Sequence, residues 1–170
     1  VLDLARGRLG GGITVTRNAN APLRDMLEQV AAELQAATPD RAIQTDFTSL
    51  GLVDVDPGRI GQLLSNLLGN AIAHGAPNTP IRVRAATQGN VFELSVVNAG
   101  EPIPPGTIEH LFKPFFRASA RPNQEGLGLG LYIARELCRA NEATLDYVPV
   151  PGGGSCFRLV LPGPHALLPE

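Results

Sequence analysis

Apolar residues fall into two patterns along this chain, one with helical spacing and one alternating. From Asp56 to Gly75, Ile60, Leu63, Leu64, Leu67, Leu68, Ala71 and Ile72 mark out one face of a long helix. Asp56 and Pro57 suit its first turn, and Gly75 with Pro77 suits its end. A second amphipathic helix spans Pro22 to Ala37 through Leu23, Met26, Leu27, Val30, Ala31 and Leu34, closed by Thr38-Pro39. A third opens at Gly126-Leu-Gly-Leu-Gly130 and runs to about Asn141, with Leu129, Ile133, Ala134, Leu137 and Cys138 inward.

Alternation predicts strands. Ala42 to Leu50 is one; Ile81 to Thr87 and Val91 to Val97 form a hairpin across Gln88-Gly-Asn90. Ala143 to Val148 and Ser155 to Leu161 form another across Pro151-Gly-Gly-Gly154. Between the hairpins lie a Gly/Pro-rich loop from Asn98 to Gly106, a helical turn from Thr107 to Leu111 and an aromatic knot, Phe112 to Arg117. Ala118 to Glu125 is polar and patternless. Hairpins with long helices predict an α+β two-layer sandwich: a mixed, mostly antiparallel sheet with helices on one face. Arg82 and Arg84 then point to the other face.

Residues 1–20 read as the end of a preceding helix and a linker, 21–163 as one domain, and 164–170 as a Pro-rich tail. A longer parent protein is the expectation. The composition is that of an ordinary globular domain, 44% hydrophobic and 18% charged. A net charge of −2 and a single lysine, Lys113, argue against a nucleic-acid footprint. No apolar run has the length of a membrane span, so no membrane contact is expected. Cys138 and Cys156 lack metal-type spacing and read as free thiols in apolar segments, which points to a reducing, cytoplasmic setting.

Candidate chemistry sits at helix edges and glycine-bearing loops. Asn66 and Asn70 are four residues apart and share one flank of the long helix, where a carboxamide can offer oxygen to a metal or water. The alternating glycines Gly126, Gly128 and Gly130 let backbone amides approach a phosphate at a helix start. A Rossmann reading fails because the polar stretch Ser119 to Glu125, not a strand, precedes them; a P-loop reading fails for want of Gly-Lys-Ser/Thr. Asn98, at a strand end with Gly100 two residues on, can accept from an exocyclic amino group and donate to a ring nitrogen, while the glycine leaves room for the ring. An Asx-type turn is the alternative at that position.

In order and spacing these pieces resemble the catalytic, ATP-binding domain of sensor histidine kinases, which has the Bergerat ATP-binding fold. Asp56 to Gly75 is similar to the family's N box, Asn98-Ala-Gly-Glu-Pro-Ile-Pro104 to its first glycine box, and Leu111-Phe-Lys-Pro-Phe-Phe-Arg117 to its F box. Gly126-Leu-Gly-Leu-Gly-Leu-Tyr-Ile-Ala134 resembles the second glycine box, and Gly153-Gly-Ser-Cys-Phe157 the closing glycine-strand motif. The resemblance implies ATP and Mg2+ as ligands, with Asn70 on the metal. Asn66 stands where related hydrolases carry a glutamate that activates water, and an asparagine cannot take a proton. His74 and Arg117 are implied near the phosphates, Arg117 as a charge-stabilising fork. The backbone around Gly126, Leu127, Gly128, Leu129 and Gly130 is implied to wrap the triphosphate. Asn98, Gly100, Ile103, Phe112 and Ser155 are implied to line the nucleotide, although Phe112, Phe115 and Phe116 read on their own as core and lid anchors.

Two departures stand out. Asn98 replaces the family's commoner aspartate, and Ala73 stands where many relatives carry a basic residue. Together with Arg6-Gly-Arg-Leu-Gly-Gly-Gly-Ile13, the Asn-x-Gly-x-Pro-Ile-Pro variant resembles bacteriophytochrome-like kinases. The implied partners are a phosphoacceptor histidine on an upstream helical domain absent from this chain, and a response regulator. His110 and His165 read as surface residues. The alternatives of the same fold are an anti-sigma-factor-type serine kinase and a degenerate nucleotide-sensing module. A gyrase-type ATPase wants an acid at position 66.

Overall fold

The computed structural model describes residues 15–18, 22–89, 91–114 and 130–161. Helix α1 spans Leu23–Ala37, strand β1 Ile43–Asp46 and helix α2 Pro57–His74. Strands β2 (Ile81–Gln88) and β3 (Val91–Asn98) form the first hairpin, followed by the one-turn helix α3, Pro105–Ile108. Helix α4 (Gly130–Ala140) leads into β4 (Thr144–Pro149) and β5 (Ser155–Leu161). The five strands lie in the order β1-β2-β3-β5-β4, with β1 parallel to β2 and every other pair antiparallel. The sandwich is the expected α+β one.

Helix α2 is the centre of the helical layer, packed between α1 and α4. Its Ile60, Leu63, Leu64, Leu67, Leu68 and Ala71 are buried, as the spacing predicts, and Ile72 is half-buried. They meet Ile81 and Val83 of β2, Leu94 and Val96 of β3, and Phe157 and Leu159 of β5 in one core. Gly61 is buried where α1 crosses: a Cβ there would come within 3.0 Å of Met26 Cγ and Sδ. Asp56 caps the helix, its Oδ1 accepting from Arg59 N–H at 3.3 Å. Its Oδ2 accepts from Thr16 N–H at 2.8 Å, so the same carboxylate anchors residues 15–18.

One expectation changes. The strand expected over Ala42 to Leu50 ends at Asp46. Asp46 Oδ1 accepts from both the backbone N–H (3.1 Å) and the hydroxyl (2.7 Å) of Thr48, an Asx-type turn that competes with the ladder. Those two bonds hold the Asp46 carboxyl below its ordinary value. Beyond the strand the alternation breaks: Phe47 and Leu50, three residues apart, are buried and Ser49 is exposed, with Leu50 N–H donating to Phe47 O at 3.1 Å across a turn.

Cys138, on the inward side of α4, is buried and free. Burial pushes its thiol up to about 12 from the ordinary 9.0, partly opposed by Arg135. The folded state therefore keeps the thiol neutral while the unfolded chain ionises above pH 9, so this contribution is full below that pH and is lost as pH rises toward about 12. Urea unfolding of Cys138→Ala across this alkaline range is expected to show a shallower loss of stability than the parent; an unchanged slope would remove Cys138 from the pH response.

Candidate functional site

The site is built at one end of the sheet, where three elements meet. Asn66 and Asn70 sit a turn apart on α2, both half-buried at the border of the apolar face. Asn66 Nδ2 is buried and has no hydrogen-bond partner among the described residues. His74 follows one turn later, exposed in the last turn of the helix. Among the described residues no three His, Cys, Asp or Glu side chains cluster as a metal site. A divalent cation here has to draw most of its ligands from a bound phosphate and water, which is how Mg2+ is commonly held. Asn70 fits the remaining role, offering a neutral hard oxygen.

The end of α2 is held by a residue that sequence reading missed. Arg41 is only 8% exposed. Its Nη1 donates to the Ile72 carbonyl at 3.0 Å and its Nε to Thr79 O at 3.3 Å, satisfying a helix-end carbonyl and fixing the following loop. Arginine before a strand carries no local signal for that role. The loop then joins the other side of the site, Ala76 N–H donating to Ala99 O at 2.9 Å.

Asn98 ends β3 on its inward face, 7% exposed, and pairs in register with Ser155 of β5, 4% exposed. Two polar side chains thus stand side by side at the edge of an otherwise apolar surface. Asn98 Nδ2 donates to Ala99 O at 3.2 Å. Because that neighbour is a carbonyl, the amide orientation is determined: nitrogen faces it and Oδ1 is left over as an acceptor. That bond uses one of the two N–H groups of the amide, so Asn98 keeps one donor beside its acceptor oxygen. Gly100 has φ +133 and lies where a Cβ would come within 3.3 Å of Ala76 N, so glycine is required there by conformation and by space.

Tyr147, also missed, completes the group. Its hydroxyl accepts from Ile103 N–H at 2.9 Å, and the Ser155 hydroxyl lies 3.3 Å from it. Of the two hydroxyl hydrogens, one is spent between Tyr147 and Ser155, and the other has no acceptor among the described residues. The group thus holds an amide with one further N–H and an acceptor oxygen beside a pair of hydroxyls, a set able to meet both the amino group and a ring nitrogen of a base. The sequence signal for Tyr147 was its alternation with Leu145 on the inward face, since a phenol placed there needs a partner.

Phe112 packs edge-on to Phe157 with centroids 6.2 Å apart, and the Arg135 guanidinium carbon lies 4.3 Å from the centre of the Phe112 ring. This agrees with the anchor reading for Phe112. Of the glycines of the second glycine motif only Gly130 is described, as the first residue of α4. Arg117, Gly126, Leu127, Gly128 and Leu129 lie outside the described residues, as do Phe115, Phe116 and His165. His110 is exposed, with Lys113 Nζ 2.9 Å from its Nδ1. A groove of about 340 Å3 between α1 and α2, lined among others by Met26, Val30, Gly61 and Ser65, contains none of the site residues. No helix among the described residues is long and apolar enough to cross a membrane.

Residues 55–165 match the family model of the histidine kinase-, DNA gyrase B- and HSP90-like ATPases. A bacteriophytochrome of Pseudomonas aeruginosa is 34% identical over 148 residues, 86% of this chain and 20% of that protein. The signal transduction histidine-protein kinase AfsQ2 of Streptomyces coelicolor is 35% identical over 139 residues, 81% of this chain and 26% of that protein. The solved structure of full-length ShkA in complex with AMPPNP superposes with a TM-score of 0.77 at 25% identity, over 94% of this chain and 34% of that one. This chain thus spans about a quarter or less of the curated relatives it matches.

Proposed function

The chain belongs to the histidine kinase-, DNA gyrase B- and HSP90-like ATPase family, as an ATP-binding catalytic domain of the sensor histidine kinase kind, and from that premise we propose that it binds Mg-ATP at the Asn66–Asn70–Asn98 site and transfers the γ-phosphoryl to a histidine on an upstream helical domain. The observation that carries this reading is the Asn98 carboxamide, buried beside Ser155, with one N–H donated to Ala99 O and its oxygen oriented away from that carbonyl, able to accept from an adenine amino group. Gly100, without a side chain, lets the loop lie close against Ala76 at the edge of the site. Asn70 would hold Mg2+, and His74, Arg117 and the backbone from Gly126 to Gly130 would serve the phosphates. When bound, Mg2+ would supply charge neutralisation to the phosphates.

The chain's own residues restrain hydrolysis. Asn66 has a carboxamide where water activation needs a carboxylate, so it orients polar groups without taking a proton. That suits an enzyme that keeps ATP intact until the phosphoacceptor arrives. The response regulator is the proposed recipient downstream in the whole protein, and the domain acts in the cytoplasm.

Calorimetric titration with a non-hydrolysable ATP analogue, with and without Mg2+, tests the site. Binding that strengthens with Mg2+ is expected; no heat at millimolar analogue would sink the kinase reading. Asn70→Ala should bind with an affinity no longer dependent on Mg2+. Retained dependence would assign the metal elsewhere.

A further inference from the structure

We infer that Tyr147 is the positioning residue for the base end of the nucleotide pocket, an inference that rests on the reading of that pocket as an ATP site. Beyond Ser155 at its end, the inward face of β4 and β5 is apolar, with Leu145, Phe157, Leu159 and Leu161 all buried. Tyr147 interrupts it with a hydroxyl, and that hydroxyl is shared by two segments distant in sequence. It accepts from the backbone of Ile103 in the Gly/Pro-rich loop at 2.9 Å, and Ser155 Oγ lies 3.3 Å away.

Each contact removes a freedom that the pocket cannot otherwise remove. The loop between Asn98 and α3 has no ladder of its own: Ala99 O takes its bond from Ala76, and the next backbone bonds along the segment belong to the turn at Pro104. The Ile103 N–H is the point at which this loop is tied to the sheet. Ser155 is a short side chain with three staggered rotamers, and the Tyr147 oxygen selects one of them beside Asn98. The ring of Tyr147 is itself held, edge-on to Phe157 at 5.6 Å, which in turn meets Phe112. One phenol therefore registers the loop, the β5 hydroxyl and the aromatic anchor of the F-box turn to one another. It does so without being at the reacting phosphates.

Tyr147→Phe keeps the ring and deletes only the hydroxyl. In this 170-residue chain the variant is expected to bind the ATP analogue about two- to tenfold more weakly, the range of one net hydrogen bond. Amide hydrogen exchange at Ile103 should accelerate by a similar factor of about two to ten, while that of Leu94 in the core strand stays as in the parent. Equal acceleration at Ile103 and Leu94 would mean a general loss of stability and would overturn the positioning role. So would unchanged affinity with the parent still binding. If the parent itself shows no binding, the nucleotide reading falls and this inference falls with it. Ser155→Ala provides a second measure: combined with Tyr147→Phe it should cost less than the two single effects added, because both disrupt one hydroxyl pair.

Discussion

Gly154→Ala is expected to destabilise the domain by about 2–4 kcal/mol, roughly 10 °C in melting temperature, and to abolish measurable nucleotide binding. Gly154 has φ +116, and a Cβ there would lie 2.5 Å from the carbonyl oxygen of Asn98 and 3.4 Å from Ala99 Cα. Neither is the far end of a flexible side chain, so relief requires β5 to move away from β3 at the point where Ser155 and Asn98 pair. Stability and site are damaged by the same displacement. Gly152 is the control. Its φ of +89 carries comparable conformational strain, but nothing lies within 4 Å of its Cβ position. Gly152→Ala should therefore cost about 1–2 kcal/mol and leave the affinity of the folded protein near that of the parent. Thermal unfolding with calorimetric titration of both variants decides the matter, and equal effects would show that backbone crowding at Asn98 is unimportant.

Phe157→Ala should cost about 3–5 kcal/mol, a large share of the ~5–15 kcal/mol typical of a domain. The ring is fully buried and touches Tyr147 on one side and Phe112 on the other. Its loss leaves a cavity beneath both the base end of the pocket and the F-box turn. Collapse into that cavity should also displace Tyr147, so nucleotide affinity falls with stability. Phe92→Ala separates the two effects. Phe92 is equally buried, but it pairs with Leu161 at the opposite end of β3 from Asn98. It should match Phe157→Ala in urea midpoint while binding nucleotide normally when folded. A cost for Phe157→Ala under about 1.5 kcal/mol would show that its neighbours fill the space.

Much of this architecture is written locally. In α2 the apolar spacing, the Asp56 cap and the Gly75 stop all depend on residues within a turn or two of one another, so the helix ends within one residue of expectation. The hairpin from Ile81 to Asn98 is local in the same sense, its alternation matching the burial of Val83, Ala85, Phe92, Leu94 and Val96. Strand β1 is the counterexample. Its alternating pattern extends to Leu50, but Asp46 and Thr48 offer the backbone a turn, and a parallel edge strand with one neighbour is too weakly held to resist it.

The site divides along the same line. Asn66, Asn70, Asn98 and Gly100 were visible because their spacing along one helix or one loop carries the chemistry. Arg41 and Tyr147 were not, because each acts on backbone far away in sequence: Ile72 and Thr79 for one, Ile103 for the other.

For the helix from Asp56 to Gly75, the amino-acid sequence by itself determined a core face and a polar edge, together with the identity of the groups on that edge. It also determined that position 66 holds an amide, hence no proton acceptor. Only the tertiary structure decided how the Asn98 amide is oriented. That depends on the Ala99 carbonyl beside its nitrogen and on the sheet order that brings β5, with Ser155, next to β3. Helical periodicity is a property of neighbours in the chain, whereas the direction of a buried amide is set by whichever donors and acceptors the fold places around it.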